Sequence, residues 1–207
     1  KMVVQALQAE GEQIDHCVVG EPSSAETFGD MIKIGRRGSI NVEIVVEGVQ
    51  GHVAYPHRAA NPVPVLIALL HRLAETELDT GFLGFQPSNL EVTTVDVGNA
   101  TTNLIPAAAK ARLNIRFNPN HTGQSLADWI EGEAREALAG FQGNIVVTPA
   151  ISGEAFLTEP GPFTDVVAAA VADITGKGPE LSTTGGTSDA RFIRALCPVV
   201  ELGLVGK

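Results

Sequence analysis

Five short stretches of the chain carry residue types able to do chemistry. Glu21 follows the apolar run Cys17-Val18-Val19-Gly20 and precedes Pro22-Ser23-Ser24. It is therefore expected just past the carboxyl end of a strand, where open α/β sheets place their ligands. A carboxylate there can bind a divalent metal, or it can be an ordinary solvated turn residue, because a metal site needs three or four protein ligands. His52 lies in Gly51-His52-Val53-Ala54-Tyr55-Pro56-His57. A preceding glycine lets the backbone approach a ligand, and a loop histidine can donate a hydrogen bond to a developing oxyanion. A plain surface role is the alternative for His52, and more so for His57.

Arg36 and Arg37 stand in Gly35-Arg36-Arg37-Gly38, at an expected domain junction, a usual place for substrate clefts. Guanidinium binds carboxylates through two parallel hydrogen bonds, so an acidic substrate would suit them, although junction arginines also serve structural roles. Thr184-Gly185-Gly186-Thr187-Ser188-Asp189 has the composition of an anion-binding nest just before a helix. A capped helix start explains it equally well, and no Gly-Lys-Ser/Thr follows to make a nucleotide phosphate loop. Asn103, in the loop before Pro106, is placed either to hold a substrate or to cap its turn.

The elements that must position these residues fall into two styles. Residues 1–37 read as an amphipathic helix, a short buried strand from Cys17 to Gly20, a turn, and a strand from Phe28 to Ile34. From Ser39 the period changes: Ile40, Val42, Ile44 and Val46 alternate with Asn41, Glu43 and Val45, as in a strand with one covered face. A helix from Pro62 to Glu77 follows, then strands from Asn89 to Val97 and Ala107 to Phe117. Next come a helix capped near Ser125 and ending near Gly140, and a strand from Asn144 to Pro149. That order, βαββαβ, predicts a ferredoxin-like unit with two helices on one face of a four-stranded antiparallel sheet. Its bare face and exposed edge would seek a partner. After Gly153 the α/β style returns, with a helix from Phe163 to Thr175, a strand from Glu180 to Ser182, a helix from Ala190 to Leu196 and a strand from Pro198 to Leu202. The expected fold is α/β: residues 1–37 and 151–207 form one discontinuous domain, with 38–150 inserted as a unit.

Composition narrows the function. The chain has 207 residues, 44% of them hydrophobic, which is enough for a real core. A formal charge of −10 argues against nucleic acid and against an anionic membrane surface as partners. No apolar run reaches the roughly 18 residues of a membrane helix, and Lys1-Met2-Val3-Val4 opens no signal peptide, so a cytoplasmic protein is expected. The two cysteines, Cys17 and Cys197, each sit in an apolar run and are expected to be buried thiols.

Taken in order, the five motifs Val19-Gly20-Glu21-Pro22-Ser23-Ser24, Gly35-Arg36-Arg37-Gly38-Ser39, Gly51-His52-Val53-Ala54-Tyr55-Pro56, Asn99-Ala100-Thr101-Thr102-Asn103-Leu104-Ile105-Pro106 and Gly185-Gly186-Thr187-Ser188-Asp189-Ala190-Arg191 say more than any one alone. Together they resemble the dinuclear zinc aminoacylase and carboxypeptidase family, most closely its desuccinylase branch. The resemblance implies hydrolysis of N-succinyl-LL-2,6-diaminopimelate to succinate and diaminopimelate, with a related deacylase acting on acetylornithine or a dipeptide as the near alternative. It implies two zinc ions per subunit, cobalt being possible, with Glu21 as one ligand. It further implies a homodimer formed through the inserted unit, in which His52 of one subunit stabilises the oxyanion in the other. Lys33, Arg36 and Thr187 would hold substrate carboxylates, Gly186 would also bind the substrate, and Asn103 and Arg116 would lie near it. The family's other metal ligands and its glutamate base have no counterpart in these residues. This chain is accordingly expected to be a piece of a longer enzyme, binding zinc weakly and inactive by itself. A metal-free dimerisation module is the remaining alternative.

Overall fold

In the computed structural model, which describes residues 2–186 and 188–206, the elements follow one another along the chain as helices and mostly short strands. They are α1 (Met2–Glu10), β1 (Cys17–Val19), β2 (Met31–Lys33), β3 (Gly35–Arg36), β4 (Gly38–Glu47), β5 (Gly51–His52), α2 (Pro62–Glu75), β6 (Asn89–Asp96), β7 (Leu104–Ile105) and β8 (Ala108–Phe117). After these come α3 (Gly123–Ala137), β9 (Asn144–Gly153), β10 (Phe156–Leu157), α4 (Pro162–Thr175), β11 (Glu180–Ser182), α5 (Ala190–Ile193) and β12 (Val199–Glu201). They divide into two units. The first comprises residues 1–38, 81–86 and 153–207, and the second residues 39–80 and 87–152.

The second unit is built by the period-two stripes. Its sheet has the order β6-β8-β4-β9. β6 and β8 pair antiparallel from Asn89 opposite Arg116 to Asp96 opposite Lys110. Asn114 Nδ2 donates to the Ile40 carbonyl at 3.1 Å, and Gly48 N donates to the Ala107 carbonyl at 2.8 Å, so β8 also runs antiparallel to β4. Ile40, Val42, Ile44 and Val46 of β4 are buried, as are Ala109, Ala111, Leu113, Ile115 and Phe117 of β8. Leu66, Leu69, Leu70 and Leu73 of α2, and Leu126, Ala127, Ile130 and Ala134 of α3, are buried too. Each such large aliphatic side chain contributes about 1.5–3 kcal/mol relative to exposure. The expected ferredoxin-like order is present. Asn61 caps α2 by accepting from Val63 N at 3.1 Å.

α3 begins earlier than expected. Thr122, in extended backbone, is its N-cap, and Ser125 is the third helical residue. Thr122 Oγ1 accepts from Ser125 N, and Ser125 Oγ accepts from Thr122 N, both at 3.0 Å. This reciprocal box satisfies two of the otherwise orphaned amides, which a cap at Ser125 would have left bare.

The first unit carries a sheet of order β1-β12-β2-β11 and the short pair β10-β3. Ile32, Ile34, Val171 and Val200 form one core cluster, and Phe156, Ala190 and Val199 another. α4 ends at Gly176, whose φ of 74° is the left-handed cap conformation that glycine adopts without cost. The strand expected from Phe28 to Ile34 is shorter, because the Asp30 carboxylate accepts from the amides of Ala25, Glu26 and Thr27 at 2.7–2.8 Å. Those bonds hold residues 25–30 in a turn and pull the Asp30 pKa below the usual carboxylate value. α5 is likewise shorter than the helix expected to reach Leu196. Residues 81–86, expected inside the insert, pack with the first unit: Phe85 is buried and Thr183 Oγ1 donates to the Gly84 carbonyl.

Both cysteines are free, Cys197 buried and Cys17 half-buried, and burial pushes the Cys197 thiol pKa up. Among the described residues no helix is long and apolar enough to cross a membrane.

Ile44→Ala should destabilise the second unit by about 3 kcal/mol through the cavity it leaves, while Thr122→Ala should cost about 1 kcal/mol. Urea unfolding followed by circular dichroism would check both, and the two costs should add, since the sites share no partner.

Candidate active site

In the first unit one row of residues crosses the sheet. The pairing sets Val19 opposite Glu201, Glu201 opposite Lys33, and Ser182 opposite Lys33, so their side chains share a face. Lys33 is 7% exposed and Glu201 only 1%. Lys33 Nζ donates to Thr184 Oγ1 at 2.6 Å and to Ser182 Oγ at 3.3 Å. Among the described residues no carboxylate lies within 4 Å of it. Burial, and secondarily the charge of Arg36, lower the Lys33 pKa below its ordinary 10.5.

Arg36 is buried in a different state. Its Nε donates to Glu201 Oε2 at 2.9 Å and to Oε1 at 3.2 Å, its Nη2 reaches the same carboxylate, and its Nη1 donates to the Thr184 carbonyl at 2.9 Å. Ser188 Oγ donates to Glu201 Oε1. Gly185, at φ 104°, lies so close to Arg36 Nη1 that a Cβ would collide with it, whereas Gly186 is exposed with open space around it. Thr187 lies outside the described residues.

Glu21 is half-buried beyond the end of β1, with its amide donating to the Val19 carbonyl at 3.0 Å. Two buried serines hold this turn. Gly203 N donates to Ser23 Oγ at 2.9 Å, and Ser24 Oγ donates to the Gly203 carbonyl at 2.6 Å. The cross-strand pairing sets Val19, two residues before Glu21, level with Lys33 and two strand spacings away, about 10 Å. Among the described residues no three His, Cys, Asp or Glu side chains gather as a metal-holding group. Glu21 therefore offers one carboxylate and not a metal centre.

The second unit brings His52 and Asn103 together. β5 and β7 form an antiparallel ribbon with His52 opposite Leu104, and Val53 N donates to the Asn103 carbonyl at 3.1 Å. Asn99 shapes the facing loop by donating to the Leu104 carbonyl at 2.9 Å. His52 Nδ1 accepts from Ala54 N at 3.0 Å, so the neutral imidazole carries its proton on Nε2. The exposed ring can then donate from Nε2 to an oxygen. Tyr55, 55% exposed, sets its ring 6.0 Å from that of His52. Arg116 is elsewhere. It sits near the opposite end of β8, and the strand from Ala108 to Arg116 spans roughly 25 Å at about 3.3 Å per residue.

Glu201 and Tyr55 are the residues that motif reading passed over. The signal for Glu201 was present, because an acidic residue inside Val199-Val200-Glu201-Leu202 must find a partner when that strand is buried. Tyr55 stands within the His52 motif, but no spacing sets it apart there.

Comparison with known proteins settles the lineage. Residues 34–141 match the family model of the peptidase dimerisation domain. The chain belongs to the peptidase dimerisation domain family. It is 75% identical over 207 residues to a succinyl-diaminopimelate desuccinylase of Phenylobacterium zucineum, covering all of this chain and 54% of that protein. It is 72% identical over 204 residues to one of Caulobacter vibrioides, covering 99% of this chain and 53% of that protein. The chain thus spans about half the length of the curated relatives it matches. Two solved structures share the fold. One is an aminopeptidase PepT from Bacillus cereus, with a TM-score of 0.77 and 16% identity over 98% of this chain and 52% of that one. The other is an M20 family metallo-carboxypeptidase from Sulfolobus solfataricus, with a TM-score of 0.74 and 14% identity over 97% and 58%.

The depressed Lys33 pKa has a signed consequence. Between that value and 10.5 the unfolded chain binds the proton that the folded chain releases, so stability should rise with pH across this window. Lys33→Met should flatten that rise, as read from urea unfolding at stepped alkaline pH.

Proposed function

We propose that these residues belong to a metal-dependent amide hydrolase that cleaves N-succinyl-LL-2,6-diaminopimelate to succinate and LL-2,6-diaminopimelate. The observation that carries this is the identity of 72% or more, along essentially the whole chain, to two proteins of that named activity. The protein is proposed to act as a cytoplasmic homodimer joined through the second unit. The dimerisation description of the matching family model supports the pairing.

The chemistry of the two clusters supports the same reading. A substrate with several carboxylates suits Lys33, a buried cation whose own partners are two hydroxyl groups and the Met31 sulfur. A scissile amide suits His52, whose Nε2–H is a ready donor to a carbonyl oxygen that gains charge as the tetrahedral intermediate forms. Asn103 stands beside it. Arg116 lies too far along its strand to join His52 in one copy of the unit, which favours a site completed by two copies. Zinc, with cobalt as the alternative, is the proposed metal, and Glu21 is its proposed ligand here. One carboxylate does not hold such an ion, so the metal requirement rests on the relatives: solved proteins of this fold include a dinuclear metal binding peptidase from Bacillus subtilis.

The test is an assay of the full-length protein on the succinylated diaminopimelate, on acetylornithine and on a dipeptide. Turnover should favour the first by a wide margin, and His52→Ala should lower kcat by about 100- to 1,000-fold, the loss typical of one oxyanion donor. Faster turnover of acetylornithine or the dipeptide would replace the desuccinylase with a sister enzyme. The 207-residue chain alone should form dimers with neither stoichiometric zinc nor turnover, and measurable hydrolysis by it would contradict the assignment of the missing ligands to other parts of the enzyme.

A further inference from the structure

His52 and Asn103 are brought together by a ribbon of only two residue pairs, Gly51 opposite Ile105 and His52 opposite Leu104, extended by the bond from Val53 N to the Asn103 carbonyl at 3.1 Å. So short a two-stranded ribbon is marginal by itself, and the segments that flank it must hold it. On the His52 side the chain folds back at once. Tyr55 N donates to the His52 carbonyl at 2.9 Å, Ala54 N donates to the imidazole Nδ1 at 3.0 Å, and Gly51 lies close against Ala59. On the other side Ile105 is buried and anchors the far end of β7, but the end at Leu104 adjoins a loop without such packing. Every residue from Gly98 to Asn103 is exposed, so hydrogen bonds and not buried apolar contacts decide the shape of this loop.

Asn99 supplies the bonds that close it. Asn99 Oδ1 accepts from Thr101 N at 3.3 Å, two residues on, and Asn99 Nδ2 donates to the Leu104 carbonyl at 2.9 Å. Between them Leu104 N donates to the Thr101 carbonyl at 3.3 Å. Both backbone polar groups of Leu104, the residue opposite His52, are thus held from within the loop. Gly98, at φ 61°, turns the chain into the loop after β6, in a conformation that a residue with a Cβ rarely adopts. A carboxamide suits position 99 because it accepts and donates at once. An aspartate there would keep the Thr101 bond but face the Leu104 carbonyl with a second acceptor.

We propose that Asn99 is a positioning residue for His52: by closing the 98–103 loop onto Leu104 it holds the strand that keeps His52 and Asn103 side by side. The proposal rests on the reading of His52 as the donor to the oxygen of the scissile amide. That oxygen gains its charge as the tetrahedral intermediate forms, so a displaced His52 is felt in the chemical step and hardly at all when substrate binds.

Steady-state kinetics of the full-length enzyme on succinylated diaminopimelate would test this with Asn99→Ala, Asn99→Asp, His52→Ala and the combined Asn99→Ala, His52→Ala variant. Asn99→Ala should lower kcat about tenfold with KM within about twofold, as expected when a contact made only in the transition state is misplaced. In the His52→Ala background the same change should cost less than about twofold, because the two residues act on one contact. Asn99→Asp should lose at least as much as Asn99→Ala. An unchanged kcat, a loss confined to KM, an equal loss in both backgrounds, or wild-type turnover by Asn99→Asp would each overturn the proposal. If Asn99→Ala does not fold, Gly98→Val disturbs the same loop where it begins and should show the same kcat loss and the same dependence on His52. An unchanged kcat in His52→Ala alone would sink the donor reading, and this proposal with it. Failure of the intact wild-type enzyme to hydrolyse any of the amides would sink the hydrolase reading itself.

Discussion

The ion pair between Arg36 and Glu201 is the interaction on which the first unit's site depends. Two opposite charges taken from water cost several kcal/mol each, and only close geometry with further hydrogen bonds offsets that. Here the guanidinium fork meets the carboxylate through Nε and Nη2, and Ser188 and Thr184 satisfy what remains. The pair joins β3, β12 and the turn before α5, elements far apart in the chain. Its presence explains why the turn carries glycine at position 185, since the guanidinium occupies the room a side chain would take. It also separates two cations that the family resemblance treats alike. Arg36 is neutralised within the fold, whereas Lys33 is buried with only hydroxyl oxygens and its own strand's methionine sulfur for company.

The second unit obeys a different constraint. Its sheet is covered on one face by α2 and α3, and the other face is polar, with Arg112 Nε bonded to Glu43 Oε2 at 3.0 Å across it. The edge strands β6 and β9 carry exposed apolar residues, including Val95, Val146 and Ile151. Open edges of this kind invite pairing with another strand, which agrees with a domain whose family is described by dimerisation. The same antiparallel sheet separates candidate residues: the turns at one end present His52 and Asn103, while Arg116 belongs to the other end. A rigid strand cannot fold back, so within one copy of the unit these residues stay apart.

Local pattern made much of this legible in advance. The alternation from Ile40 to Val46 and the helical spacing of Leu66, Leu69, Leu70 and Leu73 determine which faces are buried, because period two and period 3.6 leave little choice. The order of strands and helices from residue 38 to 153 then selects the ferredoxin-like arrangement. Gly51 before His52 announced close backbone approach, which its contact with Ala59 bears out, and the succession of motifs pointed to the desuccinylase relatives. Local competition explains the boundary errors. Thr122 and Asp30 each form side-chain bonds to nearby amides, and these moved a helix start and a strand start by a few residues.

What the sequence by itself determined was therefore the set of elements, their buried faces and the residue types able to act. What only the tertiary structure decided was which of those residues meet. Arg36 and Glu201 are 165 residues apart, and Lys33 and Thr184 are separated by 151. Residues 81–86 return to the first unit through Phe85 and the bond from Thr183 to Gly84. The physical reason is that periodicity records only whether a side chain faces the core, whereas a hydrogen bond or ion pair depends on strand order and register, which are fixed by the packing of the whole sheet.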